Sequence, residues 1–271
     1  MNLAQTIALR YLISKRRVAF VTIISFISIT GVTVGVAALI VVLSVFNGFN
    51  GLVTSILVNF DPHIRVEAVN KSDLAGFAPL LGRLSGSEEV KGTAPFVLGK
   101  ALAVSRNVNR VINVKGIDVD RIDGVSGLRK TIVLGDLDLK PNRIAIGLTL
   151  ADRLGVVVGD TVSVVSPAGS EPALFQIGQP LIRRFMVQGI YESNNKEYDA
   201  YFAFVSLEAG QELFEMGETI SGVEIRLDDL DDTGEVAAML GERSGDLFRI
   251  LTWYDLHREL YSVMQIERWM A

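Results

Sequence analysis

From Val18 to Phe60 the chain has no charged residue. Within it, 21 of the 29 residues from Val18 to Phe46 are Ala, Val, Ile, Leu or Phe, and the rest are Ser, Thr and Gly. As a helix, 29 residues reach roughly 43 Å, against ~30 Å for the hydrocarbon core of a bilayer. The stretch therefore reads as a transmembrane helix, tilted or projecting beyond the membrane. A secretory signal is the rival, but its apolar part runs roughly 7–15 residues and ends at a small-residue cleavage site. Here the apolar run continues into NGFNGLVTSILVNF.

Charge orients the span. Arg10, Lys15, Arg16 and Arg17 precede it, and all 31 acidic residues follow it. Four of the 26 basic residues lie before the span, so the part beyond it holds 22 against 31 acids and carries −9. Basic flanks stay in the cytoplasm, which puts the acidic body outside. An acidic body lacks the basic face that nucleic-acid binding needs, so no nucleic-acid partner is expected. Cysteine is absent, which excludes disulfide scaffolds and thiolate metal sites.

Four segments follow: 1–17 as a cytoplasmic foot, with 3–12 amphipathic on the membrane surface; 18–58 as the span and its extension; 59–252 as the extracytoplasmic domain; and 253–271. The last stretch has Trp253, Leu256, Leu260, Val263 and Ile266 at helical spacing, then Trp269 after the final charge. An aromatic there suits a membrane threshold. It is either a surface helix or the approach to a missing second span, and we expect the second. In the span, Ser28, Gly31, Gly35 and Ala38 share one face, where small side chains let a neighbouring helix come close.

The body alternates strand and helix patterns. Strands are expected at 63–69, 92–98, 101–105, 111–116, 143–146, 161–166, 183–193, 198–206 and 221–227. Helices are expected at 72–86, 147–156, 207–216 and 231–243, with an Asp- and Gly-rich loop at 118–127. The mixture is α+β. Between two convincing strands lies 167–182, with Pro167, Pro172 and Pro180 among the chain's seven prolines. A tight hairpin needs about two to five residues, so this is an excursion. It carries Leu174, Phe175, Ile177, Leu181 and Ile182. Protruding, it would offer apolar side chains on a stiffened backbone to a partner's groove or sheet edge; folded back, it would cover the core.

Catalytic patterns are missing. There is no GxxxxGK[ST] phosphate loop, no HExxH and no Gly-x-Ser-x-Gly. His63 reads as a strand-start residue, and Asp228, Asp229, Asp231 and Asp232 as helix caps. No cofactor, metal or catalytic residue is expected.

Several stretches converge on one family. IALRYLISKRR, the span with Asn47-Gly48-Phe49, FDPHIRVEA, LADRLGVVVGDTVSVVSP, RRFMVQGIYES, YDAYFAFVSLEAGQELF and the final LTWYDLHRELYSVMQIERWMA resemble the N-terminal part of lipoprotein-releasing ABC-transporter permeases of the LolC/LolE type. Shorter pieces are shared with the wider MacB/FtsX-like permeases. The resemblance implies a MacB-like periplasmic core domain in the bacterial inner membrane and no catalysis by this chain. It implies pairing with a second permease subunit, a cytoplasmic ABC ATPase, an acylated lipoprotein substrate held among membrane lipid, and a periplasmic lipoprotein chaperone. In the chaperone-recruiting members a protruding hairpin, the hook, does the docking. The matching place is 167–182, making Pro167, Pro172, Leu174, Phe175, Ile177 and Pro180 candidate contacts, with Arg183 as a basic residue beside the hook. Ser163 stands where a second basic residue is implied, and Asn50 where an acid commonly follows Asn-Gly-Phe. The other readings are an efflux or cell-wall-regulating permease of MacB/FtsX type, a single-pass anchored binding protein, and an anchored hydrolase.

Overall fold

The computed structural model describes residues 7, 20–84, 89–106, 108–167, 181–242 and 247–256. The surface helix expected over 3–12 (apart from Ile7), Pro172, Leu174, Phe175, Ile177 and Pro180, and the end from 257 onward lie outside the described residues. The chain divides after Val53 into two compact units.

Helix α1 runs from Phe20 to Phe60, 41 residues. Its stretch Phe20–Val45 is long and apolar enough to cross a membrane, and none of it is buried. Large side chains such as Phe20 and Phe26 stand more than two-thirds exposed, a surface that water disfavours and lipid does not. Thr33 donates its hydroxyl to the Ile29 carbonyl at 2.8 Å, which spares a polar group in an apolar setting.

The second unit is built on a ten-stranded sheet. In chain order its elements are β1 (Ile64–Asp73), α2 (Leu74–Leu84), β2 (Val90–Ser105), β3 (Val108–Ile117), β4 (Ile132–Gly135), β5 (Arg143–Gly147), α3 (Leu148–Leu154), β6 (Thr161–Ser166), β7 (Leu181–Tyr191), α4 (Lys196–Tyr201), β8 (Phe202–Ser206), α5 (Leu207–Leu213), β9 (Thr219–Leu227), α6 (Thr233–Gly241), β10 (Phe248–Thr252) and α7 (Trp253–Leu256). Two 3₁₀ turns, Ile122–Gly124 and Leu128–Thr131, lie between β3 and β4.

Strand β2 is long enough to serve two assemblies. Its first part pairs with β9, beside β1 and β10, and α2 and α6 cover this layer. Its second part pairs with β3 and also with β6. From there β3 pairs with β8, β8 with β5, β5 with β7 and β7 with β6, which closes a ring of six strands. Closure removes open edges. Inside the ring lie Ala103, Val114, Ile144, Val164, Phe185 and Val205, sealed by Leu150 and Leu154 of α3 and Leu213 of α5. Strands β5 and β8 are buried on both faces, as sequences rich in apolar residues without alternation require. A third cluster, under the 3₁₀ turns, gathers Phe60, Ile122, Leu128, Tyr191 and Phe204.

Most expected elements are present, with differences that have physical reasons. The strands expected at 92–98 and 101–105 are one continuous β2. Residues 198–201, expected as strand, form α4, because Asn195 caps it by accepting the Glu197 N–H at 2.9 Å. The expected helix over 72–86 starts at Leu74, with Ser72 and Asp73 still in β1. The aspartates before α6 do not cap it through their side chains: Asp232 makes no capping bond, and Asp229 instead accepts the Asp231 N–H at 3.0 Å. Strands β4 and β10 were not anticipated.

Candidate functional site: the rim between β6 and β7

Strands β6 and β7 pair antiparallel from Thr161 opposite Met186 to Ser166 opposite Leu181. The chain leaves β6 at Ser166 and returns at its direct cross-strand neighbour. Pro167 is exposed and ends β6; residues 168–180 lie outside the described set.

Strand parity sorts the side chains near this rim. Phe185 and Val187 are fully buried in the ring, so Leu181 and Arg183 share the inward face. Arg183 forms an ion pair with Glu212 of α5. Ile182, Arg184 and Met186 point outward and are exposed. Arg184 stands directly opposite Ser163, the position where the resemblance implies a basic residue on β6. The cation on the outward face is therefore Arg184, and Arg183 is occupied at the ring's edge. The bulky apolar Phe185 was the signal that could have fixed this parity from sequence.

An apolar row crosses the same outward face. Val111 of β3 is opposite Leu102 of β2, Leu102 opposite Val165 of β6, and Val165 opposite Ile182 of β7. Val111 and Ile182 are each about 60% exposed. A parallel row places Asn109, Val104, Ser163 and Arg184 side by side. The rim thus presents apolar side chains flanked by a cation, a composition suited to contacting another protein.

A polar network lies where α1 ends. Phe60 is buried, 5.0 Å from the Tyr198 ring and near Tyr191 and Phe204. Its carbonyl accepts the Ser126 hydroxyl at 2.6 Å. The next residue, Asp61, accepts the Tyr198 hydroxyl at 2.7 Å. Burial pushes the Tyr198 phenol well above its ordinary range, so it stays protonated and donates. Beside it, Glu224 Oε1 receives Lys115 Nζ at 2.6 Å and Arg65 at 3.1 Å, both cations lying over the Phe96 ring. Burial pulls the Lys115 pKa down, and the Glu224 carboxylate opposes that shift. His63 is also buried, and its Nδ1 accepts the Leu227 N–H at 3.3 Å. Burial, then the charge of Arg226, lowers its pKa from 6.5 to about 4, so it is neutral at physiological pH.

In the first unit, Ser28, Gly31, Gly35 and Ala38 fall within about 80° of arc on α1 at 100° per residue. All four are exposed, and a Cβ added at Gly31 or Gly35 would meet nothing within 4 Å. Among the described residues no group of three or more His, Cys, Asp or Glu could hold a metal ion.

Residues 25–243 match the family described as MacB-like periplasmic core domain. Among curated proteins, the lipoprotein-releasing system transmembrane protein LolC of Xylella fastidiosa (strain 9a5c) is 32% identical over 270 residues, covering 98% of this chain and 64% of that protein. The LolE protein of the same system in Haemophilus influenzae is 30% identical over 237 residues, covering 84% of this chain and 56% of its own length. The chain thus spans less than two thirds of these relatives. Among solved structures, the periplasmic region of MacB from Actinobacillus actinomycetemcomitans aligns with a TM-score of 0.48 at 14% identity, covering 76% of this chain and 94% of that one. The family match takes in most of the chain, which belongs to the MacB-like periplasmic core domain family and is similar to its LolC/LolE-type permeases.

Proposed function

We propose that this chain is part of a membrane subunit of an ABC transporter that releases acylated lipoproteins from the bacterial inner membrane to a periplasmic chaperone. One observation carries the reading. Strands β6 and β7 stay paired up to Ser166 and Leu181, yet fourteen residues, 167–180, join them where a two-residue turn would close the hairpin. A connection that long, leaving from a rim with an exposed apolar row and Arg184, suits a protruding hook that captures a partner. Similarity to lipoprotein-releasing transmembrane proteins over 98% of the chain supports the same reading.

In this account 1–17 is a cytoplasmic foot, 18–58 the first span with its extension, 59–252 the periplasmic domain, and 253–271 the approach to a further span. The chain does not hydrolyse ATP; a separate cytoplasmic ATPase does. A second permease subunit packs against the small-residue face Ser28/Gly31/Gly35/Ala38, or that face borders the lipid-filled cavity holding the acyl chains. Motion driven by ATP enters the periplasmic domain at Phe60 and Asp61. There the ring contacts with Tyr191, Tyr198 and Phe204, and the Asp61–Tyr198 bond, hold the helix end to the sheet.

Replacing 168–180 with a two-residue turn tests the reading. The expected result is loss of chaperone capture in a pull-down, with membrane insertion unchanged. Undiminished capture would remove the docking role.

A further inference from the structure

Within the second unit a cavity of about 710 Å³ opens beside Phe60. Small-molecule sites commonly enclose roughly 300–1,000 Å³. Its lining draws cations from three separate places: Lys91 at the start of β2, Arg226 on β9, and Arg129 with Lys130 on the 3₁₀ turn before β4. Asp123 also lines it, and Arg129 Nε holds that carboxylate at 2.8 Å. Among the described residues no second carboxylate lines the cavity. Four cations and one carboxylate thus line the cavity, with the Arg226 guanidinium also donating to the Val125 carbonyl at 3.4 Å, in a body that carries −9. Next door, burial first, then Arg226 and more weakly Lys91 push His63 toward its neutral form, with Asp229 opposing them.

Neutralising the carbonyl end of α1 does not account for four cations. The macrodipole amounts to about half a charge, and the Phe60 carbonyl already accepts the Ser126 hydroxyl. Nor does the space suit a bare ion, since phosphate alone would fill a small part of it.

We propose that this cavity binds a phosphate ester, either the headgroup of a lipid or a free phosphate ester of similar size. Lys91 and Lys130 bring ammonium point charges, and Arg226 and Arg129, the latter already bonded to Asp123 and to the Val119 carbonyl, add to the positive field, which together match a compact, multiply acceptor-bearing anion. The proposal does not depend on lipoprotein release.

Lysine footprinting on the whole 271-residue chain tests it, in detergent with glycerol 3-phosphate and in nanodiscs of phosphatidylglycerol or phosphatidylcholine. Binding should slow amine labelling of Lys91 and Lys130 several-fold and leave the exposed Lys100 and Lys140 unchanged. Protection by the free ester identifies a soluble ligand. Protection only in phosphatidylglycerol discs identifies a lipid headgroup. Either supports the site. Lys130→Gln and Arg226→Gln should each weaken binding about tenfold, with melting temperature as the check on folding and Lys130→Gln, on an exposed turn, as the safer variant. The proposal fails if neither ligand protects, if all four lysines are protected alike, if the variants bind as wild type does, or if only an Asp/Glu-rich peptide protects.

Discussion

Glu224 decides whether two buried cations are tolerable. It is 1% exposed, and it faces Lys115 and Arg65, whose side chains are 8% and 12% exposed. Removing one partner of such a group costs about 3–5 kcal/mol, because a charge stays buried without compensation. Glu224→Gln should therefore lower the unfolding free energy of the domain by about that much in urea titrations. Lys115 can shed its proton and bring the loss toward the lower figure. His63 gives a pH signature of its own. Its folded pKa, about 4, lies below the ordinary 6.5, so the unfolded chain takes up the proton first as pH falls. Stability should be independent of this group above about pH 6.5, then decline as pH falls to about 4, by roughly 2–3 kcal/mol. His63→Asn, which keeps an acceptor for the Leu227 N–H, should flatten that decline. Equal slopes for both proteins in urea titrations at pH 7.5 and 4.5 would show that other groups dominate.

Elements show where sequence patterns carry information and where they run out. Strands such as β6, with its strict alternation of buried and less buried positions, are legible because one face is core and the other is not. The α4 segment has a strand-like sequence because Tyr198 and Tyr201 favour strands, while a single cap at Asn195 decides for helix. Ring closure was not legible at all, since it depends on Leu102 meeting Val165 far along the chain. The excursion after β6 was visible from its prolines and length, but which arginine faces outward depended on the parity set by Phe185. Arg184→Glu should accordingly weaken chaperone capture several-fold more than Arg183→Gln, which only releases Glu212. A Cβ at Gly222 would meet the Val66 carbonyl at 2.2 Å and the Phe96 ring at 2.9 Å, between β1 and β2. Gly222→Ala should destabilise the domain by about 3 kcal/mol, readable as a lower denaturation midpoint.

The whole molecule combines an unburied apolar helix with a well-packed α+β unit, and its charge divides as +4 before the span and −9 after it. That division was plain in the sequence, as was the family, because both depend on long stretches and not on single contacts. A reporter fused after Gly155 should be active only outside the cytoplasm; activity inside would reverse the orientation. The role proposed for this subunit is to pass lipoproteins from the membrane to a chaperone. The most direct measurement reconstitutes the full-length protein in proteoliposomes with its partner permease, its ATPase and an acylated lipoprotein, and follows lipoprotein in soluble complex with the chaperone. Transfer should require ATP and be lost when 168–180 is replaced by a short turn. ATP turnover with no transfer, or transfer that persists without this subunit, would contradict that role.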